Sequence, residues 1–459
     1  MRKVTKAFLL AGAVLVIAFL LCVFYDRQYG FGDGLIRNFA FRNVFSFIRT
    51  VWLVCFLFAL GFASRLKWLQ NLTLLLFTAL FLLFLLELAA QLLVRSGLFP
   101  SIAMYPRRYY IEGGLQYRKP LIWGDMNPAS GRWRVPNRAD TLITCSGDTF
   151  VRPTNAFGAL DRERSLVNTN PDKPRVVVIG DSFYEGYMVP AKERVSSRLE
   201  NLTGIEHLNF AINGTSPINY YLLYKSLISR FEHDVVIIGF LPANDFEDYT
   251  DKEAYRLVNW PIYRPYWYGQ YPNYQLRYSL SDITQSIYRP TVSQAKLLTV
   301  IDSVYAHLPL RQQLKAELLA NSSLVQILKT VASRRGQTKT SFTSFEQFDE
   351  EAFLYAQYSL EQLFKEAKGK QIILLSTPIL QDIQAIRDGK QNRLDSRLRA
   401  LCDQYGVTFI PLLPEFLAYK GDVSEMYVAC DGHWSRKGEA FVADLLQKNS
   451  LYQRAVSGK

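Results

Sequence analysis

Histidine is scarce in this chain. Four residues, His207, His233, His307 and His433, serve all 459 positions, so any histidine-based chemistry has few places to reside. Cysteine is also sparse, at five, and no Cys/His spacing matches a zinc site. No cofactor and no metal are expected. Charged residues make up only 20% of the chain, and the net charge of +12 is unevenly spread. The first hundred positions carry +7 and the rest only +5, with no long basic run. The basic balance therefore reads as membrane topology, and no nucleic-acid partner is expected. Internal repeats and low-complexity tracts are absent, which excludes solenoid architectures.

Long apolar runs are plentiful, and they crowd into the first 95 positions. Three spans are expected, at about 7–25, 44–64 and 69–94. No small-residue cleavage site follows the first run, so it reads as a retained helix. The second needs Arg49 to snorkel, and the third contains one charge, Glu87. Arg2, Lys3 and Lys6 precede the first span, and Arg65 and Lys67 lie between the second and third. The positive-inside rule then favours a cytoplasmic N-terminus and an extracytoplasmic C-terminal domain. The expected location is a cell (inner or plasma) membrane, with the lipid bilayer as a partner. Cys22 and Cys55 sit in apolar spans. Cys145, Cys402 and Cys430 lie beyond them, and one pair could bridge in an oxidising compartment, with the choice left open.

Positions 96–174 read as an irregular connecting segment with short strands near Trp133 and Thr149. From Arg175 the pattern becomes regular. Strands are expected at 176–179, 206–210, 235–241, 371–375 and 407–412. Helices are expected at 191–202, 219–231, 351–368 and 394–405, with a last one after Ser435. This alternation predicts an α/β domain at 175–459, with a parallel sheet covered by helices on both faces. It is broken by an insertion at about 249–348, whose first part is rich in Tyr and Trp and whose 293–333 portion looks helical. The insertion is either a small core of its own or a lid whose rings stack on sugars or acyl chains.

Chemistry gathers at strand ends. The run 176–179 is β-branched, as buried parallel strands are, and Gly180-Asp181-Ser182 follows it on an expected tight turn closed by Gly186. A serine at such a strand tip sits where open α/β sheets bind ligands. A serine hydroxyl needs a base. His207 and His233 flank strands and His307 lies in the insertion, which suits packed or surface roles. His433 differs: it stands in Asp431-Gly432-His433-Trp434-Ser435, with a carboxylate two residues away to orient its ring and Ser435 to cap the next helix. Gly214 and Asn244 follow two further strands and could offer N–H groups to an oxyanion. Each of these could be ordinary turn chemistry. Together they place a nucleophile, two donors and a base on four strand ends.

At these residues the chain resembles the SGNH, or GDSL-type, hydrolase superfamily. The matching blocks are Gly180-Asp181-Ser182-Phe183, Gly214, Ala243-Asn244-Asp245 and Asp431-Gly432-His433. The lead-in Asn155-Ala156-Phe157-Gly158, with Asp161 and Glu163, is similar to the segment before the first block in many bacterial members. The resemblance implies a three-layer α/β/α fold and an acyl-transfer site. It implies Ser182 as nucleophile, His433 as base and Asp431 as its orienting acid. The Ser182 N–H, the Gly214 N–H and the Asn244 side chain would form the oxyanion hole. The commonest family pattern has Asp three residues before His, where Cys430 stands here. The spacing of Asp431 is similar to a subgroup that includes periplasmic alginate O-acetylation proteins. The expected activity is that of a membrane-anchored serine esterase or O-acyltransferase, acting on acyl esters of a cell-surface glycan. A membrane protein delivering an acyl donor is an expected partner. A lipase or lysophospholipase, and an inactive scaffold module of a cell-envelope assembly, are the alternatives.

Overall fold

The computed structural model describes residues 2–29, 35–36, 39–96, 123–127, 129–246, 265–278, 310–311, 318, 322–328, 331 and 343–457. Contacts divide the chain into two compact units, Met1–Met104 with Glu317–Ala332, and Tyr105–Ala316 with Ser333–Lys459. The division runs through the insertion, so part of it belongs with the apolar helices rather than with the sheet.

The first unit contains α1 (Arg2–Tyr29), α2 (Phe41–Phe62) and α3 (Lys67–Arg95). All three are long and apolar enough to cross a bilayer, over Phe8–Gln28, Val44–Phe62 and Lys67–Val94. Small residues let the helices approach. A Cβ on Gly61 would lie 2.2 Å from the Thr73 hydroxyl, and one on Gly12 would lie 3.0 Å from the Trp52 indole. The Trp52 indole N–H donates to the Phe8 carbonyl at 2.9 Å. Most leucines of α3 face outward, which suits lipid.

The described part of the second unit starts with two antiparallel hairpins. One pairs β1 (Trp123–Asn127) with β2 (Gly131–Arg134), and the other pairs β3 (Ala139–Ile143) with β4 (Thr149–Pro153). The lead-in that follows is a structural buckle. The Asn155 side chain accepts the Phe157 and Ala159 N–H groups and donates to the Arg162 carbonyl. Asp161 pairs with Arg164 and accepts the Asn209 N–H, which fixes the buckle to the sheet.

The sheet has five parallel strands: β5 (Arg175–Ile179), β6 (Glu206–Asn209), β7 (Val235–Phe240), β10 (Gln371–Ser376) and β11 (Thr408–Pro411). Their order is β11-β10-β7-β5-β6. In register, Val178 stands beside Asn209 and Ile237, and Leu375 beside Gly239 and Ile410. Every residue of β5 and β7 is buried, as strands covered on both faces must be. The covering helices include α5 (Val195–Thr203), α6 (Pro217–Ser226), α8 (Glu350–Glu366), α10 (Leu394–Tyr405) and α12 (Arg436–Lys448). The chain begins inside the sheet at β5, steps to β6, then returns past β5 to β7. That reversal makes the carboxyl ends of β5 and β7 a switch point, where α/β sheets open a crevice.

Several elements differ from the expectation at their edges. The helix expected at 191–202 is a 3₁₀ turn at Ala191–Glu193 followed by α5, and the one at 219–231 starts two residues earlier at Pro217 under the Ser216 cap. The short helices α9 (Leu380–Arg387), α11 (Leu413–Ala418) and α13 (Ser450–Ser457) carried too few turns to show a period.

The first described part of the insertion is a hairpin, β8 (Pro265–Tyr268) against β9 (Gln275–Tyr278). Trp267 and Tyr274 pack onto helices, whereas Tyr268 is 51% exposed and lies under Arg277. Trp267 is buried, its indole N–H donates to the Ser359 hydroxyl at 2.8 Å, and its ring meets Tyr221 and Tyr358. Tyr274 packs on Tyr355 and Tyr358. These rings form a small core on α6 and α8, so they are not available to stack on a substrate. Tyr255, Trp260, Tyr263 and most of the expected helical portion lie outside the described residues.

Candidate active site

The Ser182 segment differs from the expected plain turn. Gly180 leads into a one-turn helix, α4 (Ser182–Glu185), capped by Asp181, whose side chain accepts the Phe183 N–H at 3.0 Å. Gly186 ends it in the left-handed region with φ 69°, and a Cβ there would lie 2.3 Å from Arg194. Ser182 thus begins the helix directly at the tip of β5. The helix is seated by Tyr184, which is 1% exposed and pairs its hydroxyl with Thr377 at 2.7 Å. Its ring lies over Gly239 of β7, where an added Cβ would be 1.9 Å away.

The histidine arrives from the far end of the chain. Val428 donates its N–H to the His433 carbonyl, and the Asp431 and Gly432 N–H groups donate back to the Val428 carbonyl. Trp434 is buried against Phe183 and Tyr184, and Ser435 caps α12 by accepting the Gly438 N–H. The loop is also held covalently: Cys430 forms a disulfide with Cys145, at the turn of the β3–β4 hairpin. Of the three cysteines left open, Cys402 is the one that stays free, buried in the core.

These anchors bring three side chains into a relay. His433 Nε2 lies 2.7 Å from Ser182 Oγ, and His433 Nδ1 is hydrogen-bonded to Asp431 Oδ1. The His433 ring sits between Phe183 and Tyr187, with centroids 5.0 and 5.3 Å away. Both hydrogen bonds form together when Nδ1 carries the proton, which leaves the Nε2 lone pair facing the serine hydroxyl. Half-burial works to raise the Asp431 carboxyl, but the hydrogen bonds and charge of His433 outweigh it and hold the group below its usual range. Asp431 is therefore an anion throughout the neutral range.

Gly214 and Asn244 end the elements that flank Ser182. Gly214 follows β6, is exposed, and has φ 63°. Asn244 lies in the turn of helix α7 (Pro242–Asp245) after β7, also exposed. Its amide donates one N–H to Asp181 Oδ2 at 3.2 Å, and an amide has a second to give. Asp181 is fully buried, and burial pushes its carboxyl up to about 6 against the pull of the Phe183 N–H, His433 and Asn244. It remains an acceptor at neutral pH and holds Asn244 in place. Among the described residues, the Ser182 and Gly214 N–H groups donate to no protein acceptor.

One residue carries more of the site than its place in the sequence indicated. Glu185 ends the nucleophile helix with its side chain 1% exposed. Its Oε2 meets Arg134 Nη2 at 2.8 Å and accepts the Asn213 N–H, beside Gly214. Arg152 lies 3.7 Å from its other oxygen and stacks over Tyr187. Glu185 therefore joins the nucleophile helix to the Gly214 loop and to both lead-in hairpins. Its arginine partners sit in the stretch that read as irregular, so no local pattern pointed to them.

Two of the other histidines, His207 and His233, are packed in the fold. His207 is buried between the Ile205 carbonyl and the Tyr452 hydroxyl, and burial lowers it to about 4. His233 bridges the Phe231 carbonyl and the Tyr224 hydroxyl. His307 lies outside the described residues. No cluster of three or more His, Cys, Asp or Glu side chains able to hold a metal occurs among the described residues.

No protein-family profile matches the chain, and no curated protein matches it. Similar solved structures include a lipase/acylhydrolase from Enterococcus faecalis, at 13% identity and a TM-score of 0.31, with 61% of this chain and 95% of that chain covered. A member of the lipolytic G-D-S-L family from Veillonella parvula aligns at 11% identity and 0.28, covering 60% and 97%. The acetyl xylan esterase AlAXEase aligns at 14% identity and 0.28, covering 60% and 98%. At such scores the functional reading has to rest on the geometry of the site itself.

Proposed function

We propose that this chain is an SGNH-type serine ester hydrolase or O-acyltransferase, anchored in a membrane, with its site on the extracytoplasmic side. The observation that carries the reading is the 2.7 Å contact of Ser182 Oγ with His433 Nε2, backed by Asp431 on Nδ1.

The chemistry follows from those contacts. Ser182 Oγ attacks the ester carbonyl carbon while His433 Nε2 takes its proton, and Asp431 stabilises the imidazolium. The carbonyl oxygen becomes an oxyanion, facing the Ser182 N–H, the Gly214 N–H and the remaining Asn244 N–H. The C–O bond to the alcohol breaks, His433 returns the proton to the leaving oxygen, and the acyl group stays on Ser182. Water or a sugar hydroxyl then attacks the acyl carbon and gives its proton to His433, after which the bond to Ser182 Oγ breaks and His433 returns the proton to that oxygen. Either acceptor uses the same relay, so the site serves hydrolysis and transfer alike.

The Cys145–Cys430 disulfide supports an oxidising compartment, which agrees with Arg2, Lys3, Lys6, Arg65 and Lys67 lying on the cytoplasmic side. The substrate we favour is an acetylated cell-surface glycan, with a membrane protein supplying the acyl donor where transfer occurs. The test uses the full chain in detergent. Turnover of acetyl, octanoyl and palmitoyl esters is compared with that of Ser182→Ala, and acetylated glycan is then offered as substrate. A short-chain preference that vanishes in Ser182→Ala supports the reading. A steep preference for long chains moves it to a lipase, and no turnover of any ester above the Ser182→Ala background sinks it.

A further inference from the structure

The first unit holds a contact that the proposed chemistry does not use. Glu87 is the one acidic residue of α3. Its carboxylate accepts the Ser322 hydroxyl at 2.6 Å, the Ser323 N–H at 2.7 Å, the Leu324 N–H at 3.1 Å and the Gln91 amide at 3.2 Å. Three of these four donors come from the insertion, 235 or more positions away.

The stripe of α3 around Glu87 is covered to match. Ala90 is 3% exposed, and Glu87, Gln91 and Val94 are half-buried on the same face. The flanking Leu86, Leu88, Leu92 and Leu93 are 44–62% exposed. Residues 323–328 are helical, and Leu324, Val325 and Ile327 are half-buried, while Leu318 and Leu328 point outward at 55% and 59% exposure. Outward leucines beside a satisfied carboxylate fit lipid better than water.

The depth of the contact follows from helix geometry. The 29 residues of α3 make about 43 Å of helix, against a hydrocarbon core of about 30 Å. With the core centred on the helix, Glu87 lies about 6 Å inside the boundary nearest Arg95. That is the face from which the chain leaves α3 for the second unit. The insertion therefore reaches Glu87 from its own side without crossing the bilayer. A lone carboxylate at that depth is costly, and four donors offset the cost.

We infer that the insertion segment Ser322–Leu328 is a shallow, lipid-embedded anchor docked on α3 through Glu87, and that it ties the catalytic unit to the membrane a second time. The chain leaves the second unit after Ala316, joins the membrane unit over Glu317–Ala332 and returns at Ser333. Release of the covalent link after α3 would then leave the catalytic unit membrane-bound. This inference does not depend on the proposed chemistry, and its test reads membrane retention rather than activity.

The experiment uses the full chain in membranes, with a specific protease site placed between positions 97 and 122. After cleavage the membranes are washed at high salt and the C-terminal fragment is followed. It stays in the pellet in the wild type, and is released when 318–331 is replaced by a Gly/Ser linker. Glu87→Leu increases release at least several-fold, and Glu87→Gln, which retains an acceptor, less so. Protease resistance of the released fragment shows that it is still folded. In parallel, Glu87→Cys with Ser322→Cys is oxidised, and the two fragments migrate as one band without reductant. Either single cysteine gives two bands. Release of the wild-type fragment on cleavage would overturn the inference, as would retention of the linker variant or failure of the cysteine pair to crosslink.

Discussion

Truncation of Glu185 should separate the scaffold of the site from its chemistry. The carboxylate is buried, paired at 2.8 Å with an Arg134 side chain of 0% exposure, and accepts the Asn213 N–H. In Glu185→Ala the buried guanidinium loses this anion, which typically costs about 3–5 kcal/mol. The Asn213 N–H loses its acceptor, at about 1–3 kcal/mol, and the two costs overlap because they share one group. At about 2 °C per kcal/mol for a unit of this size, melting should fall by about 6–10 °C. The kinetic effect has a different origin. Asn213 precedes Gly214, so a freed loop misplaces one oxyanion donor, and the ceiling for losing such a donor is about 10²–10³ in kcat. Glu185→Gln keeps an oxygen for the Asn213 N–H, so it should melt early yet retain kcat within about tenfold. The assay is acetyl-ester turnover at 25 °C on the full chain, with melting followed by intrinsic fluorescence. If Glu185→Ala melts early but turns over like wild type, the Gly214 loop is held by something else. If melting does not move, the buried pair contributes nothing and the reasoning fails at its first step.

Three further outcomes follow from the packing. Replacing Cys145 and Cys430 together by Ser should lower stability by about 2–5 kcal/mol, since the bridge closes a loop with a separation of 285 residues. Differential scanning fluorimetry with and without reductant checks this, and a reductant-insensitive wild type would contradict it. Gly239→Ala drives a Cβ into the Tyr184 ring and should cost about 1–3 kcal/mol while loosening the nucleophile helix, read as lower melting and slower labelling of Ser182. Glu439 is buried on the Val195 N–H, and burial raises its carboxyl to about 8 from 4.5. The folded state thus holds a proton that the unfolded chain releases. Its stabilisation is complete below about 4.5 and is lost as pH rises towards 8. Glu439→Gln should therefore gain on wild type between pH 5 and pH 9, and parallel stability curves for the two proteins would refute this.

The sequence made most visible those features whose partners lie nearby. The β-branched run 176–179 read as a buried strand and is the inner strand β5, because burial on both faces leaves a mark in composition alone. Ser435 read as a cap and accepts the Gly438 N–H, three residues on. The Asp431–His433 contact spans two residues and was also legible. What escaped was non-local. Glu185 leaves no local mark in the sequence, since Arg134 and Arg152 sit in separate hairpins. The choice among Cys145, Cys402 and Cys430 depended on which loops meet at the His433 end of the sheet. Glu87 read as a solitary charge in an apolar run, because three of its four donors come from beyond position 320. Ser182 itself was expected on a turn. The helical turn that carries it is set by the Asp181 cap and by Tyr184 packing on Gly239, a contact between two strands' ends that no local pattern encodes.

The measurement that bears most directly on the central claim is mass-spectrometric mapping of fluorophosphonate labelling on the full chain, with its rate. The serine–histidine relay predicts a single adduct on Ser182. It predicts a labelling rate about 10²–10⁴-fold lower in His433→Ala, where no base takes the proton, and a clear loss in Asp431→Asn. An adduct on another residue, or a His433→Ala protein that labels at the wild-type rate, would contradict it.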